Sequence, residues 1–207
     1  MKTKLVLILA ICGFLVFITQ PASAIPIEIG LEPVSQSVMV GDVVAVNLFI
    51  AGLGANVAPS LSTFDVDVAY DPGILGFKSL AFGDPALGDQ LDRYDLGSLT
   101  DFIDSVGGIN LYELSFDLSQ DLDDFQLDSF ILATLSFDAL SAGTSALGLT
   151  INVLGDSYGT SLQDVTLTGA SVMVTDTTPV PEPATILLLA VGMSGLGFVK
   201  RRKLMNS

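Results

Sequence analysis

The chain has no histidine and no tryptophan, and only one cysteine, among its 207 residues. Histidine is the commonest general base and the commonest zinc ligand, so its absence excludes most hydrolytic triads and most zinc sites. The single thiol, Cys12, lies in an apolar stretch near the start of the chain, and one cysteine cannot form an intramolecular disulfide. Stability must therefore come from a hydrophobic core, and we expect no enzyme.

Basic residues are also scarce, and most of them lie at the two ends. Between Ile25 and Val180, two basic residues, Lys78 and Arg93, stand against 22 acidic residues, which gives this span a net charge of −20. A surface of that charge repels phosphate backbones and anionic lipids. We therefore expect no nucleic-acid partner; cations or neutral glycans are better candidates.

The first 24 residues have the pattern of a removable export signal. A short basic start precedes an apolar stretch, and small residues follow at Ala22 and Ala24, which suit the narrow pocket of a signal peptidase. We predict a signal peptide over residues 1–24, with cleavage after Ala24. The alternative, an uncleaved membrane anchor, is disfavoured by the short apolar length and the A-x-A pattern.

Residues 177–207 combine a proline-rich stretch, an apolar run over 184–199 and a basic end. The proline motif consists of Val180, Pro181, Glu182 and Pro183. The basic cluster consists of Lys200, Arg201, Arg202 and Lys203. At about 1.5 Å per residue, the apolar run suits one short transmembrane helix with snorkelling cations. The cluster would stay cytoplasmic, which leaves the preceding domain on the outer side of the inner membrane.

This tail resembles the PEP-CTERM sorting signal, in which a Val-Pro-Glu-Pro motif, a short transmembrane helix and a basic cluster are recognised together. The resemblance implies processing by a membrane enzyme of the exosortase type, in a Gram-negative bacterium that makes extracellular polysaccharide. The chain would be anchored transiently in the inner membrane and then reside in the envelope, at the surface or in the extracellular matrix. The alternative, a core helix with a basic end, fits poorly with three alternating prolines and no amphipathic period.

The span 25–176 shows the two-residue alternation of β-strands and no sustained helical period. The clearest strand is Phe64–Tyr70, in which apolar residues face the core while Asp65 and Asp67 face solvent. Further strand patterns cover 43–50, 74–77, 79–82, 110–118, 129–140, 146–154 and 165–174. The intervening loops are rich in Gly, Ser and Asp. Eight or nine short strands predict a single all-β sandwich domain.

Three segments in order, 40–44, 64–75 and 131–137, are similar to a cohesin-type module. The first reads Val-Gly-Asp-Val-Val, the second continues from its strand into Tyr70-Asp71-Pro72-Gly73, and the third reads Ile-Leu-Ala-Thr-Leu-Ser-Phe. The resemblance covers most of residues 29–174. It implies a nine-stranded jelly-roll sandwich related to carbohydrate-binding modules. True cohesins dock a dockerin partner with one face, but those contact positions do not map onto this sequence.

Five aspartates crowd into twelve residues and could supply oxygen ligands for calcium. They are Asp117, Asp121, Asp123, Asp124 and Asp128. The segment lacks the glycine and the terminal glutamate of an EF-hand, and a solvated acidic loop is the alternative. No cofactor is certain from the sequence, and calcium is the one candidate.

Glycan binding normally uses exposed aromatic side chains, for which Tyr94 and Tyr158 in loops are the candidates. Tyr70 and Tyr112 fit the core better. Glycoside hydrolysis needs two carboxyl groups, one of which acts as a general acid. The one glutamate in the central strands, Glu113, could be that acid, but it fits an edge or outward position equally well. We predict a non-catalytic binding or adhesion module whose partner is an extracellular protein or polysaccharide. The alternative is a carbohydrate-binding protein or a polysaccharide-active envelope enzyme.

Overall fold

The computed structural model describes residues 26–176, which form two β-sheets and one short helix. In chain order the elements are β1 (Ile27–Glu32), β2 (Ser35–Met39), β3 (Val43–Ala51), β4 (Thr63–Ala69), β5 (Leu75–Phe82), β6 (Ser98–Ser105), β7 (Gly108–Ser115), α1 (Ser119–Phe125), β8 (Ser129–Ala139), β9 (Gly143–Gly155), β10 (Val165–Thr168) and β11 (Ala170–Thr175). The predicted all-β sandwich is confirmed, with eleven strands rather than about nine. Within the described residues no helix is long and apolar enough to cross a membrane.

The sandwich consists of a five-stranded sheet, ordered β10-β1-β3-β8-β5, and a six-stranded sheet, ordered β2-β11-β9-β4-β7-β6. The chain crosses from one sheet to the other near each end of the domain. Strands β1 and β2 lie in different sheets, and so do β10 and β11. The second change occurs at Gly169, where an added Cβ would lie 2.6 Å from the carbonyl oxygen of Leu147. A side chain there would clash with the β9 backbone, so glycine lets the chain cross between the sheets.

The core lies between the inner faces of the two sheets. On β4, Phe64, Val66 and Val68 are fully buried, while Asp65 and Asp67 point away from the core. The register predicted for this strand is therefore confirmed. Each fully buried side chain of this size contributes about 1.5–3 kcal/mol, and a one-residue slip would place both aspartates in the core.

The structure corrects the prediction that Tyr112 fills the core. The buried residues of β7 are Ile109, Leu111 and Glu113, whereas Tyr112 lies on the outer face, paired with Asp65 on one side and Asp101 on the other. The apolar alternation misleads here because a carboxylate occupies an inward position. Glu113 is accordingly neither an edge nor an outward residue; it is 1% exposed.

Other boundaries also differ from those predicted. Residues 74–77 and 79–82 belong to one strand, β5, with an irregularity between Phe77 and Ser79. The single strand predicted over 165–174 is divided at Gly169 into β10 and β11. Strands β1, β2 and β6 and helix α1 were not predicted. Strand β1 does alternate in polarity, with Ile27, Ile29 and Leu31 buried. Strand β6 has no apolar face to detect, because nearly all of it is exposed.

Candidate functional site

The outer face of the six-stranded sheet carries a polar cluster that spans three neighbouring strands. Its members are Asp65 and Asp67 on β4, Asn110 on β7 and Asn152 on β9; we call them the Asp–Asn cluster. Asn110 Nδ2 donates to Asp65 Oδ1 at 2.6 Å and to Asp67 Oδ1 at 2.8 Å. From the other side, Asn152 Nδ2 donates to Asp65 Oδ1 at 3.1 Å and to Asp67 Oδ2 at 3.0 Å.

A β-bulge in β9 determines the position of the side-chain amide of Asn152. The register between β4 and β9 shifts between Asp65 and Val66, so Asn152 has no direct partner while Val153 pairs with Asp65. Such an extra residue bends its strand and redirects side chains. Asn152 and Val153 are consequently both exposed.

The hydrogen bonds of the Asp–Asn cluster determine what it can bind. Each amide nitrogen has two N–H groups, and both groups of Asn110 and of Asn152 are given to the carboxylates. The cluster therefore has no donor left, while its carboxylate and amide oxygens retain free lone pairs. It can only accept further hydrogen bonds, so a ligand must supply donors or positive charge.

Exposed apolar side chains surround the Asp–Asn cluster on the same face. Leu99 on β6 pairs with Leu114 on β7, and Ile103 pairs with Asn110. These three side chains and Val153 are 39–61% exposed. A polar centre beside accessible aliphatic groups is suited to a protein surface, since protein interfaces combine apolar contact with about one hydrogen bond per 100–200 Å².

A second group of carboxylates lies in and beside the β5–β6 loop, residues 83–97. Glu113 Oε1 accepts a hydrogen bond of 2.7 Å from Ser98 Oγ. Glu113 Oε2 and Asp117 Oδ1 are buried and have no hydrogen-bond partner among the described residues. Burial raises the pKa of Glu113 to about 8; the Ser98 hydrogen bond opposes this, and Asp89 and Asp92 add to it.

Asp84 lies at the start of the same loop, and Asp117 accepts a hydrogen bond from the amide of Arg93 in that loop. Burial raises the pKa of Asp117. The hydrogen bond from the amide of Arg93 acts to lower that pKa, whereas the charges of Asp92 and Asp121 raise it further. Burial also acts to raise the pKa of Asp84, but amides of Ile131, Ala86 and Leu87 donate to its carboxylate and lower that pKa on balance. These contacts join the start of the loop to β8.

The structure spreads the five aspartates considered for calcium over different environments. Asp117 follows β7, Asp128 precedes β8, and the other three lie on α1. Asp123 Oδ1 already accepts hydrogen bonds from Ser60 Oγ at 2.5 Å and Ser157 Oγ at 2.9 Å. Within residues 26–176, no three acidic side chains are grouped so that they could hold a metal ion. Calcium at this segment stays a prediction.

The two candidate stacking residues are accessible but lie in different loops. Tyr94 in the β5–β6 loop is 48% exposed, and Tyr158 between β9 and β10 is 70% exposed. A hydrogen bond to Asp123, together with the charge of that aspartate, raises the pKa of Tyr158. Ala22 and Ala24, the motif from Val180 to Pro183, and the basic cluster Lys200–Lys203 lie outside the described residues.

The Asp–Asn cluster was not predicted as a site. The outward orientation of Asp65 and Asp67 was readable from the alternation on β4. The two asparagines come from strands that are distant in sequence, and the bulge that directs Asn152 leaves no mark in the sequence pattern. The buried position of Glu113 was missed because a lone carboxylate in a strand normally faces solvent.

Comparison with known proteins identifies the tail and the fold. Residues 179–203 match the PEP-CTERM protein-sorting motif, so the chain carries this signal, which implies export and a membrane-anchored sorting step. No curated protein matches the chain. The sandwich, by contrast, is similar to several solved cohesin modules.

Three solved cohesins illustrate the similarity. The solution structure of a Clostridium acetobutylicum cohesin is 20% identical, covers 72% of this chain and 91% of that one, and has a TM-score of 0.52. The sixth cohesin of Acetivibrio cellulolyticus scaffoldin B, solved with a Cel5 dockerin, is 18% identical, with 73% and 100% coverage and a TM-score of 0.56. A cohesin module from a Clostridium perfringens family 33 glycoside hydrolase is 14% identical, with 72% and 98% coverage and a TM-score of 0.53. The described domain therefore has a cohesin-like fold.

Proposed function

We propose that the chain is an exported, non-catalytic module that binds a protein partner through the outer face of its six-stranded sheet. An exosortase-type enzyme would process the PEP-CTERM tail and release the module to the cell surface or the extracellular matrix. The sorting motif supports the export step. The observation that carries the binding step is the Asp–Asn cluster, an acceptor-only centre beside exposed aliphatic side chains.

The chemistry of this face specifies the partner. Lysine, arginine or amide donors would contact the four carboxylate oxygens, and apolar side chains would cover Leu99, Ile103 and Val153. The strong negative charge of the domain would speed the approach of a basic partner face. One similar cohesin was solved with a dockerin. We therefore propose that the partner of this face is a comparable small protein module, exported by the same cell.

A pair of charge-matched double variants tests the proposal. Asp65→Asn with Asp67→Asn removes two charges from the Asp–Asn cluster, whereas Glu32→Gln with Asp138→Asn removes two charges elsewhere, from β1 and β8 of the other sheet. Full-length chain would be cross-linked to exported proteins of the same cell, and the captured protein would then be purified and titrated. Charged hydrogen bonds contribute about 1.5–3 kcal/mol each, so we expect at least a roughly tenfold loss of affinity for the first variant.

The control variant should bind within about twofold of the parent chain, because exposed charges away from an interface contribute little. Equal weakening by both variants would indicate a general charge effect and would contradict the proposal. Retention of full affinity by the Asp65/Asp67 variant would also contradict it. Binding to the polysaccharide but to no exported protein would favour the carbohydrate-binding alternative.

A further inference from the structure

Strand β6 forms one edge of the six-stranded sheet. Among residues 26–176, its one neighbouring strand is β7. The register between the two strands is continuous, from Ser98 opposite Ser115 to Ser105 opposite Gly108, and nearly every residue of β6 is exposed. The strand therefore presents an unbroken row of backbone amides and carbonyls at the side of the sandwich.

The hydrogen bonds of β7 identify the backbone groups of β6 that point outward. In an antiparallel pair, alternate residues direct their amide and carbonyl groups to the partner strand. The amide of Ser115 donates to Ser62 at 2.9 Å, on the β4 side of β7, so its neighbour Leu114 faces β6. Leu99, which pairs with Leu114, therefore bonds with β7, while Thr100 directs its amide and carbonyl to the open edge. Within the described part of the chain, no backbone hydrogen bond joins this open side of β6 to another element.

Among the described strands, the three other edges of the sandwich are protected in ways that β6 is not. Strands β10 and β2 are short, with four and five residues. Strand β5 has an irregularity between Phe77 and Ser79, and it carries Lys78, which forms an ion pair with Asp138 at 2.9 Å. Short strands, bulges and lysines are common protections against pairing with another chain. Strand β6 has eight residues in continuous register and contains neither proline nor lysine.

One side chain of β6 covers part of this open edge. Asp101 Oδ1 accepts a hydrogen bond of 2.8 Å from the amide of Phe102. That amide lies on the open side, because Phe102 alternates with the residues that bond with β7. A strand that brings a positive charge can take over the carboxylate and leave the amide of Phe102 free to pair. A neutral strand would lose the charged hydrogen bond without compensation.

The side chains of β6 specify the strand that fits this edge. On the outer face, Leu99 and Ile103 are 49% and 61% exposed, and Asp101 lies between them in the strand. A strand with one cation between two apolar residues matches this order, since neighbouring side chains on one face of a sheet contact each other. A second copy of this chain fits poorly, because two domains that each carry a net charge of −20 repel each other.

We propose that the protein partner adds an extended segment to β6 as a seventh, antiparallel strand of the sheet. A lysine or arginine of that segment pairs with the carboxylate of Asp101, and apolar residues on either side of it cover Leu99 and Ile103. Main-chain hydrogen bonds along the edge supply affinity, and these side chains supply specificity. This inference deepens the proposed function and rests on it, since the added strand belongs to the partner that contacts the Asp–Asn cluster.

The test uses a fluorescent peptide with blocked ends and the sequence Lys-Val-Thr-Lys-Thr-Val-Lys. It is titrated with the full-length chain in a non-ionic detergent at about 0.15 M salt, which screens unspecific attraction between charges. Aligned on β6, the central lysine lies beside Asp101, the valines beside Leu99 and Ile103, and the threonines beside Thr100 and Phe102. The parent chain should bind this peptide.

Two N-methylated forms of the peptide separate strand pairing from charge. Methylation of both threonine amides removes the donors that face β6, so affinity should fall at least about tenfold. Methylation of both valine amides is the matched control: these donors face away from β6, and affinity should stay within about threefold. All three peptides carry the same charge.

Two variants at one position test the same edge in the protein. Thr100→Pro removes an outward amide and no hydrogen bond to β7, and an edge strand tolerates proline. It should keep the fold, measured by its thermal midpoint, and should weaken peptide binding about tenfold. Thr100→Val changes the side chain but keeps the amide, and it should bind like the parent chain.

No binding of the peptide by the parent chain, or equal binding of the two N-methylated peptides, would overturn the proposal. Sedimentation of the parent chain as a dimer that Thr100→Pro dissociates would assign the edge to a second copy and would overturn it as well. The Asp65→Asn, Asp67→Asn variant should bind the peptide within about threefold of the parent, because both changes lie on β4, two strands from the β6 edge. Failure at β6 therefore leaves the partner titration of the Asp–Asn cluster standing, and failure of that titration leaves the peptide result readable.

Discussion

At the residue scale, the protonation of Glu113 is coupled to folding. Burial raises its pKa to about 8 from an ordinary value of 4.5, the Ser98 hydrogen bond opposes the shift, and Asp89 and Asp92 increase it. Between these two values the folded chain binds a proton that the unfolded chain has released. The stabilisation is complete below pH 4.5 and is lost as the pH rises through about 8.

We therefore predict that the free energy of unfolding decreases between pH 5 and pH 8. Each unit of pKa shift corresponds to about 1.4 kcal/mol, so a loss of a few kcal/mol is expected. Urea denaturation at several pH values would measure it. Glu113→Gln should flatten this pH dependence, while Glu32→Gln, at a surface position, should leave it intact. An unchanged slope in Glu113→Gln would show that Glu113 is not the titrating group.

At the element scale, one end of the sandwich depends on a buried amide that joins three loops. Gln126 follows α1 and is 1% exposed. Its Oε1 accepts from the amide of Leu61 at 2.6 Å, and its Nε2 donates to the carbonyls of Leu61 at 2.8 Å and Gln90 at 3.1 Å. The β3–β4 loop, the β5–β6 loop and the end of α1 are fastened together by this one side chain.

We predict that Gln126→Glu destabilises the domain by about 2–4 kcal/mol, since it turns two donated hydrogen bonds into contacts between oxygens in a buried site. Gln120→Glu is the matched control because it makes the same change on the exposed side of α1. Its effect should stay within about 0.5 kcal/mol. Denaturant unfolding of both variants at pH 7 would measure the difference. Equal stability of the two variants would contradict the role assigned to Gln126.

The sequence predicted most of the elements whose alternation is clean, although it missed β1. Strands β3 and β4 were located to within one or two residues because each has one apolar face throughout. The Gly- and Asp-rich loop predicted over 83–99 includes the β5–β6 loop and the first two residues of β6. Edge strand β6 was missed because exposure leaves no period to detect. The face of β7 was misassigned because Glu113 faces inward, where it accepts a hydrogen bond from Ser98 of β6. Only tertiary contacts bring Asn110 and Asn152 to Asp65.

In the molecule as a whole, the distribution of charge and the sorting motif both favour export of the domain. The domain is strongly anionic, while most cations lie in the two terminal segments. By the positive-inside rule, such a distribution is the one expected of a chain whose basic ends stay cytoplasmic and whose acidic sandwich lies outside. The PEP-CTERM motif at 179–203 agrees with that direction, and the described domain has a cohesin-like fold.

Export and tail removal are tested most directly by mass spectrometry of the mature protein recovered from the producing cells, with its cellular fraction recorded. We predict a chain that begins at Ile25, ends close to Pro183 and is found in the envelope or outside the cell. A Val180→Ala, Pro181→Ala double variant should keep its tail and accumulate at the inner membrane. Recovery of the untrimmed 207-residue chain as a soluble cytoplasmic protein would contradict the account.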